Sequence, residues 1–389
     1  MNVIPWHLGV FDAHCHPTDT LASLQSIPSM RANVLTVMAT RGQDQDLVAE
    51  AADNYGVTQQ EVHSPNMTWS EVHKIVPAFG WHPWFSYQMY EESSFDGAVS
   101  LTGEQKVQHY QRVLTPKPDD RDFLLSLPEP RPFAAYLART RDYLIRYPLA
   151  LIGEVGLDRS FRLPVPETPA QEAQREQGLT PGGREGRQLS PYRVPLDHQR
   201  KILLAQLRLA GEMRRAVSVH GVAAHGAVFD ALAETWKGHE KHVPSKRERR
   251  RAEAANHAEA TAPDGTEAQI SAPPSEPLPC PPRVCLHSFS GPAETVKMYI
   301  DPQVPCEVFF SFSTTINTWS ENPDGGKVEA AVRAVPDDRI LIESDLHTAG
   351  DRMDDYLAEI IRKLCEVRGW EVEEGVRILG ANWRKFVFG

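Results

Sequence analysis

The stretch IGEVGLD, residues 152–158, gives the first indication of the fold, because an apolar run stops there at an acidic side chain. A carboxylate at the end of a buried strand is costly unless it is paired or bound to a metal ion. The flanking glycines permit sharp turns and close backbone approach. We therefore predict a buried strand, Leu149–Gly153, that carries Glu154 to a functional site. The alternative, a loop acid that caps a helix or forms an ion pair, stays open.

Seven other apolar, β-branched runs recur along the chain, and most of them end at a polar residue. Near-continuous apolar strands are typical of a parallel sheet with both faces buried. The predicted strands are Gly9–Asp12, Val34–Ala39, Ile75–Gly80, Ala216–Val219, Val284–Leu286, Val308–Phe312 and Arg339–Ile342.

Helical patterns separate most of these strands, most clearly over Leu196–Arg215 and Tyr356–Val367. Alternation of strands and helices indicates βαβ units. Eight such strands predict an α/β fold of the (β/α)8 TIM-barrel class, with a doubly wound open sheet as the structural alternative. We treat residues 1–389 as one barrel domain, since barrels commonly reach this length.

Two long segments interrupt the alternation, at residues 162–195 and 237–282. Both lack apolar periodicity and are rich in polar residues and proline, which predicts flexible, solvated insertions. The second contains a basic run, Lys246–Arg251, which could be a nuclear localisation signal, a nucleic-acid contact or a charged helix end that faces water. A third region, Ser86–Pro132, is predicted to be partly helical and to elaborate a barrel loop.

The composition restricts the classes of function. The net charge of −11, from 41 Lys and Arg against 52 Asp and Glu, argues against a general polyanion binder. A nucleic-acid substrate would need metal ions and a local basic patch. The five cysteines form neither a disulfide framework nor a structural zinc pair. Neither a signal peptide nor a membrane span is evident, so the expected location is the cytoplasm, the nucleus or both.

Histidines and acids follow the predicted strands at their carboxyl ends, where the active site of a barrel is built. His14 and His16 point to the same side of an extended strand and can hold one ion together. His220, His287 and Asp345 each follow another strand. Any one of them alone has an ordinary structural explanation, but the whole set predicts a metal centre.

The mixture of imidazoles and carboxylates suits a pair of divalent ions such as Mg, Mn or Zn. Two such ions a few ångströms apart can act together on a water molecule and a leaving oxygen. Glu154 is the best candidate to bridge the pair, since it lies between the two histidine groups in the sequence. Asp345 could bind one ion and accept the proton of the bound water.

Five motifs, in this order, resemble those of the TatD family of metal-dependent deoxyribonucleases. They are HCH at 14–16, GWHP at 80–83, GEVGLD at 153–158, HSFSG at 287–291 and ESD at 343–345. The likeness extends to GANW at 380–383 and spans nearly the whole chain apart from the insertions. Those insertions resemble a fungal branch of the family, the Cut9-interacting protein type.

The resemblance implies a TIM barrel of the amidohydrolase superfamily and a specific division of the ligands. One ion would be bound by His14, His16, Glu154 and Asp345, and the other by Glu154, His220 and His287. His82 would reach the scissile phosphate. The implied activity is Mg- or Mn-supported hydrolysis of DNA phosphodiester bonds, often from the 3′ end.

Two departures from the family pattern put the substrate in doubt. Gly221 and Val222 follow His220, where the family has a polar residue and then an arginine, and Leu346 and His347 follow Asp345. We therefore keep three hypotheses: a DNA phosphodiesterase, an amide or ester hydrolase, and a weakly active scaffold that binds a protein partner through the insertions. The sequence does not indicate the oligomeric state.

Overall fold

Eight parallel strands, most of them followed by helices, form the centre of the protein. The structure is a computed structural model, and it describes residues 3–62, 69–168, 170–171, 187–245, 247–248, 279–320 and 326–389. The eight strands are β1 Phe11–Cys15, β2 Val34–Met38, β3 Ile75–Ala78, β6 Ile152–Asp158, β7 Val217–Val222, β8 Arg283–Leu286, β9 Glu307–Phe312 and β10 Ile340–Ile342. Two short strands, β4 Met89–Tyr90 and β5 Arg131–Pro132, form a separate two-stranded sheet.

Helices cover the outside of these strands. The α-helices are α1 Gly42–Tyr55, α2 Gln59–Val62, α3 Gly103–Val113, α4 Arg121–Ser126, α5 Phe133–Arg146, α6 Leu196–Glu212, α7 His225–Trp236, α8 Ala293–Tyr299, α9 Lys327–Ala334, α10 Asp351–Arg368 and α11 Val372–Phe388. Short 3-10 helices are Trp6–Leu8, Pro17–Asp19, Leu21–Ser29, Pro83–Gln88, Glu92–Phe95 and Asp337–Arg339. In the described ranges, none of the helices has the length and apolar character needed to cross a membrane.

The strands pair in the order β1-β2-β3 and β10-β9-β8-β7-β6, all in parallel. Backbone hydrogen bonds join the two runs at both seams. Leu151 N donates to Pro77 O and Phe79 N to Leu151 O, each at 3.0 Å, and Asp345 N donates to His14 O at 3.0 Å. The first and last strands are therefore neighbours, which confirms the predicted TIM barrel and argues against the open sheet.

The interior of the barrel is filled by alternate residues of the strands. Trp383 of α11 closes the lower end: its ring stacks on Phe11 at 4.4 Å, and its Nε1 donates to Thr36 Oγ1 at 3.0 Å. Asn382 beside it donates to the carbonyl of Ile340 at 2.9 Å. The apolar side chains of this layer are Phe11, Ala13, Val34, Met38, Val76, Ala78, Leu151, Ala216, Cys285, Phe309, Leu341, Trp383, Phe386 and Val387.

The two helices that the sequence predicted most clearly lie where the pattern placed them, with different ends. The helix predicted over Leu196–Arg215 ends at Glu212, and the one predicted over Tyr356–Val367 runs over Asp351–Arg368. The latter stops at Gly369, which adopts the left-handed conformation (φ 69°) that favours glycine at a helix end.

A small second core lies beside the barrel, between the Ser86–Pro132 region and the ends of the first insertion. Leu163 is fully buried and Val194 is 5% exposed, and both pack with the rings of Tyr87 and Tyr110. The two ends of the 162–195 insertion are thus buried, although the composition of this segment predicts a solvated chain. Residues 169 and 172–186 of this insertion lie outside the described residues, as do most of the second insertion and all of its basic run except Arg247 and Glu248.

Two of the strands that continue past their predicted ends, β1 and β6, contain a bulge. Cys15 pairs with Val37 while Asp12 pairs with Leu35, so β1 uses one more residue than β2 over this interval. The same shift occurs in β6, between the residues that pair with Val217 and Val219 of β7. An extra residue in one strand changes which face the following side chain takes. Our predicted ends at Asp12 and Gly153 were therefore wrong, since β1 continues to Cys15 and β6 to Asp158.

Replacing Trp383 by alanine tests the role of α11 as the lower closure of the barrel. The substitution removes a 1% exposed ring from the interior, so we expect the free energy of unfolding to fall by about 3–5 kcal/mol. Denaturant titration measures this change. The control Ile145→Ala, at a side chain that is 64% exposed on α5, should change it by less than about 0.5 kcal/mol. Equal losses for the two variants would contradict the assignment.

Candidate metal centre

The centre lies at the carboxyl ends of the barrel strands, and the bulge in β6 brings Glu154 into it. The backbone packs so tightly at Gly153 that a Cβ there would lie 2.9 Å from the Met38 sulfur and 3.2 Å from Ser218 Cβ. Gly156 needs its freedom too, since its φ is 154° and a Cβ would stand 2.1 Å from the His220 carbonyl oxygen. These glycines allow a buried strand to approach its neighbours while it presents a carboxylate.

Oε2 of Glu154 faces the histidines of the first strand. It lies 3.5 Å from His14 Nε2 and 3.3 Å from His16 Nε2, and the two imidazole nitrogens are 3.1 Å apart. Asp345 Oδ1 completes this group, 3.8 and 3.5 Å from the same nitrogens. The structure thus brings together the four residues that the sequence assigned to one ion.

Oε1 of Glu154 faces a second group of imidazoles. It lies 2.7 Å from His287 Nε2 and 2.9 Å from His220 Nδ1, and these nitrogens are 3.2 Å apart. His82 Nε2 is 3.1 Å from the same oxygen. Five imidazoles selected from the sequence therefore converge on the Glu154 carboxylate, and Asp345 lies beside two of them.

This donor set fits a pair of divalent ions. Two ligands that are each about 2.1 Å from one ion stand about 3.0–3.4 Å apart at tetrahedral or octahedral angles, close to most of the observed spacings. In the part of the chain that the structure describes, three overlapping groups have ligand atoms within 4.8 Å of one another. They are His14–Glu154–His287, His14–His16–Asp345 and His82–Glu154–His220.

Side chains around this set fix the orientation of the imidazoles. His14 Nδ1 lies 2.8 Å from Ser218 Oγ, and His220 Nε2 lies 3.2 Å from Asp158 Oδ2. Such partners turn the opposite ring nitrogen toward the ligand position. Asp158 also fixes its loop, because Oδ1 accepts from the amides of Ser160 and Phe161. Sequence reasoning missed Ser218, although its place two residues before His220 on a buried strand was an available signal.

Asp345 adopts a left-handed backbone conformation, with φ 52°. Such a conformation costs free energy in a residue with a side chain and persists only where the surroundings fix it. Here the Asp345 amide bonds to His14 O, and the preceding Ser344 donates from N and Oγ to the carboxylate of Asp12, at 3.1 and 2.5 Å. Asp12, a second residue that sequence reasoning missed, thus joins the first and last strands below the centre.

The two carboxylates of the centre are ionised. Burial alone would raise the pKa of Glu154, but the surrounding imidazoles, with His82 foremost, hold this pKa well below its ordinary value. Burial also opposes ionisation of Asp345, yet the hydrogen bond from His16 and the neighbouring histidines lower its pKa to about 2. Both groups are therefore anionic at neutral pH.

The imidazoles divide into two classes. Burial disfavours protonation of His16, His220 and His287, but the adjacent carboxylates outweigh it: they raise the pKa of His220, and they raise the pKa of His16 and His287 well above the ordinary value. Burial dominates at His82, whose pKa falls to about 4, and at His14, whose pKa is also lowered. The cationic rings thus balance the charge of the carboxylates whenever no metal ion is bound.

A cavity of about 540 Å³ opens above the centre. Its floor contains six of the seven selected residues, all except His14, together with Asp19 and His347, whose Nδ1 lies 2.7 Å from Asp19 Oδ2. Arg41 and Arg162 supply cationic groups to the wall, and Gly221 and Val222 line it at the place where an arginine was expected. Its aromatic members are Trp84, Phe85 and Phe161. His225, the nearest histidine after this position in the sequence, begins α7 and does not line this cavity.

Comparison with known proteins agrees with these features. The model of the family described as TatD related DNase matches residues 11–388. The Cut9-interacting protein scn1 of Schizosaccharomyces pombe is 35% identical over 378 residues, which is 97% of this chain and 98% of that protein. The uncharacterized deoxyribonuclease YMR262W of Saccharomyces cerevisiae is 28% identical over 70% of this chain and 66% of its own length.

Solved structures support the fold. YJJV, a TatD homologue from Escherichia coli, superposes with a TM-score of 0.51 at 17% identity and covers 98% of both chains. An uncharacterized amidohydrolase from Saccharomyces cerevisiae gives 0.51 at 11% identity, over 97% of this chain and 99% of that one. The family and the barrel predicted from the sequence are confirmed. The chain belongs to the TatD family and is a hydrolase that acts on ester bonds.

Proposed function

We propose that this protein is a two-metal phosphodiesterase that removes nucleotides from the 3′ end of DNA. One observation carries the proposal: the two oxygens of Glu154 face separate sets of imidazoles, His14 with His16 and His220 with His287. A single carboxylate placed in this way can bridge two divalent ions. We assign one ion to His14, His16, Glu154 and Asp345, and the other to Glu154, His220 and His287.

Two divalent ions in such a site would make a water molecule more acidic and would neutralise charge on the phosphoryl oxygens. Residues of this chain accept the proton and bind the phosphate. Asp345, ionised and only partly buried, accepts the proton of the attacking water. His82 Nδ1 accepts the Trp84 amide hydrogen at 3.2 Å, so the ring proton of the neutral imidazole is on Nε2. Because burial lowers its pKa to about 4, His82 is neutral, and its single Nε2 hydrogen, which faces Glu154 Oε1 at 3.1 Å, is the one that it would donate to a phosphate.

The choice of a phosphodiester over an amide or ester rests on the cations of the cavity. Val222 stands where the family has an arginine, and the loss of that cationic group argues against an anionic substrate. Arg41 and Arg162 line the same cavity, and guanidinium groups are well suited to bind phosphate. We propose that these two side chains replace the missing contact, despite the net charge of −11.

Replacing Glu154 by glutamine tests the bridging role. An amide has one donor end and no charge, so it cannot bridge two cations. We expect degradation of 3′-labelled single-stranded DNA in Mg²⁺ or Mn²⁺ to fall at least about 100-fold, as measured by gel electrophoresis of the products. The control Glu234→Gln, at an exposed carboxylate that pairs with Arg200, should retain full activity. A wild-type protein that leaves DNA intact but cleaves carbonyl esters would favour the amide or ester hydrolase instead.

Metal binding should release protons. The carboxylates raise the pKa of His16 and His287, so these rings carry protons at neutral pH and must lose them to bind an ion. Affinity should therefore rise with pH above the ordinary histidine value, until both rings are neutral. Calorimetry with Mn²⁺ in buffers of different ionisation enthalpy should detect about one to two protons per chain at pH 7.

The control for proton release is His225→Gln, because burial lowers the pKa of His225 and this ring lies outside the centre. This variant should release the same number of protons as the wild type. A heat of binding that is independent of the buffer would show that the imidazoles do not exchange protons for metal, and the ligand assignment would then fail.

We also propose that the protein binds a protein partner. The related Schizosaccharomyces pombe protein is named for its interaction with Cut9, and a cytoplasmic or nuclear location would suit both roles. An Asp345→Asn variant should lose hydrolysis yet bind the counterpart of Cut9 with unchanged affinity in surface plasmon resonance. A matching loss of both activities would indicate that the partner binds at the metal centre.

A further inference from the structure

Three exposed aliphatic side chains line the cavity above the metal centre, and the chemistry proposed above gives them no role. Leu189 and Val222 are each 38% exposed, and Ile316 is 51% exposed. A single exposed aliphatic side chain is ordinary on a protein surface, but several around one concave site indicate a binding surface. We call these three residues the aliphatic rim.

The loop after β9 holds Ile316 in place by hydrogen bonds to buried side chains. The Ile316 amide donates to Ser313 Oγ at 3.1 Å, and the Ser313 amide donates to Asn317 Oδ1 at 2.9 Å. Asn317 in turn donates from Nδ2 to the carbonyl of Phe289 at 3.0 Å. Because Ser313 and Asn317 are buried, the loop is fixed on the barrel and presents Ile316 to the cavity in a defined position.

Backbone pairing fixes the other two members of the rim. Val222 ends β7, where it pairs with Asp158 of β6, and it follows His220 by two residues. Side chains two residues apart point to the same side of a strand, so Val222 lies on the same side as this imidazole of the centre. Leu189 forms an antiparallel bridge with Pro164. The rim is therefore part of the ordered cavity wall.

An apolar group attached to the reacting phosphate is the occupant that suits this rim. The three side chains carry neither charge nor hydrogen-bonding atoms, so they cannot pair with a sugar hydroxyl or a second phosphate, and burying such a group against them costs free energy. Removal of an alkyl chain from water is favourable instead. One cavity contains both the rim and the metal centre, so a single small molecule can place an alkyl chain on the first and an anionic phosphoryl group at the second.

We propose that the centre also hydrolyses phosphodiesters in which one of the two ester groups is a short alkyl chain, and that this chain lies on the aliphatic rim. The inference rests on the proposed function for its chemistry and adds a second substrate class. The oxygen of a water molecule bonds to phosphorus while the bond from phosphorus to the departing alcohol oxygen breaks. Asp345 accepts a proton of the water and returns it to the departing oxygen, so the products are a phosphate monoester and an alcohol.

Binding of alkylphosphonates, which have no ester bond to hydrolyse, tests the rim. Isothermal titration calorimetry would compare hexylphosphonate with ethylphosphonate on the full-length protein in Mn²⁺. A methylene that becomes fully buried strengthens binding about fourfold. Because the rim side chains stay partly open to water, we expect about twofold for each added methylene, and thus an affinity ratio of at least about ten. The heat-capacity change should be more negative for the longer chain.

Ile316→Ser and Val222→Ser should each lower this hexyl-to-ethyl affinity ratio about threefold, since each removes aliphatic surface from the rim. Both side chains are exposed, so neither substitution opens a cavity in the core. The control Ile145→Ser makes the same chemical change at an exposed position of α5 that does not line the cavity, and it should keep the wild-type ratio. Equal affinities of the wild type for the two phosphonates, or a ratio that both rim variants leave unchanged, would overturn the proposal and assign the rim to a protein surface instead.

Hydrolysis is measured separately with hexyl and ethyl 4-nitrophenyl phosphate, which release the same 4-nitrophenolate. In Mg²⁺ or Mn²⁺, kcat/KM should be at least about tenfold higher for the hexyl ester, and the two rim variants should reduce this preference. Chain-length-dependent phosphonate binding together with equal kcat/KM for the two esters would refute the second activity, because the rim would then bind alkyl groups outside the reaction.

Failure of the proposed function is distinguishable from failure of this inference. DNA degradation without release of 4-nitrophenolate from either ester would refute the second activity and leave the proposed function standing. Loss of both hydrolyses would refute the proposed function and the second activity with it, whereas the phosphonate affinity ratio would still measure the rim.

Discussion

The architecture of the site depends on one buried carboxylate, that of Glu154. A charged group at the centre of a barrel mouth is tolerable only when opposite charge and hydrogen-bond donors surround it. Here imidazoles approach both oxygens, and they lower the pKa of Glu154 against the effect of burial. Whenever no ion is bound, protons on His16 and His287 provide the balancing charge. The same positions suit divalent cations, so the charge that would otherwise destabilise the fold also makes the site a strong ligand set.

The presentation of this carboxylate requires departures from regular strand geometry. Ile152 and Val155 of β6 point to the layer between barrel and helices, while Leu151 points inward. If side chains alternated strictly along the strand, Glu154 would point toward the helices, as Ile152 does. The bulge inserts one residue, and Glu154 turns to the mouth instead. The bulge in β1 has the same effect for His14, since Ala13 faces inward and Cys15 faces the helices. Bulges beside active sites commonly redirect a side chain in this way.

This irregularity marks the limit of what the sequence could predict. Apolar runs located all eight barrel strands, because both faces of a parallel barrel strand are buried and the pattern is hard to mistake. The polar residues at the strand ends gave the ligands, since the chemistry is visible in the residue types. Pattern rules assume a period of two residues, however, so they ended β1 and β6 early at Asp12 and Gly153. Ser218 and Asp12 were missed because their roles are set by partners more than 200 residues away in the sequence.

Asp158 connects the metal centre to the wall of the cavity above it. Its Oδ2 accepts the indole hydrogen of Trp84 at 2.6 Å and lies 3.2 Å from His220 Nε2. One carboxylate oxygen therefore orients both a ring that lines the cavity and an imidazole that we assign to an ion. Because Asp158 ends β6, the strand that also carries Glu154, the spacing between this ring and the centre is set by the barrel itself. Two groups on one rigid strand keep a fixed separation, which loops alone would maintain less precisely.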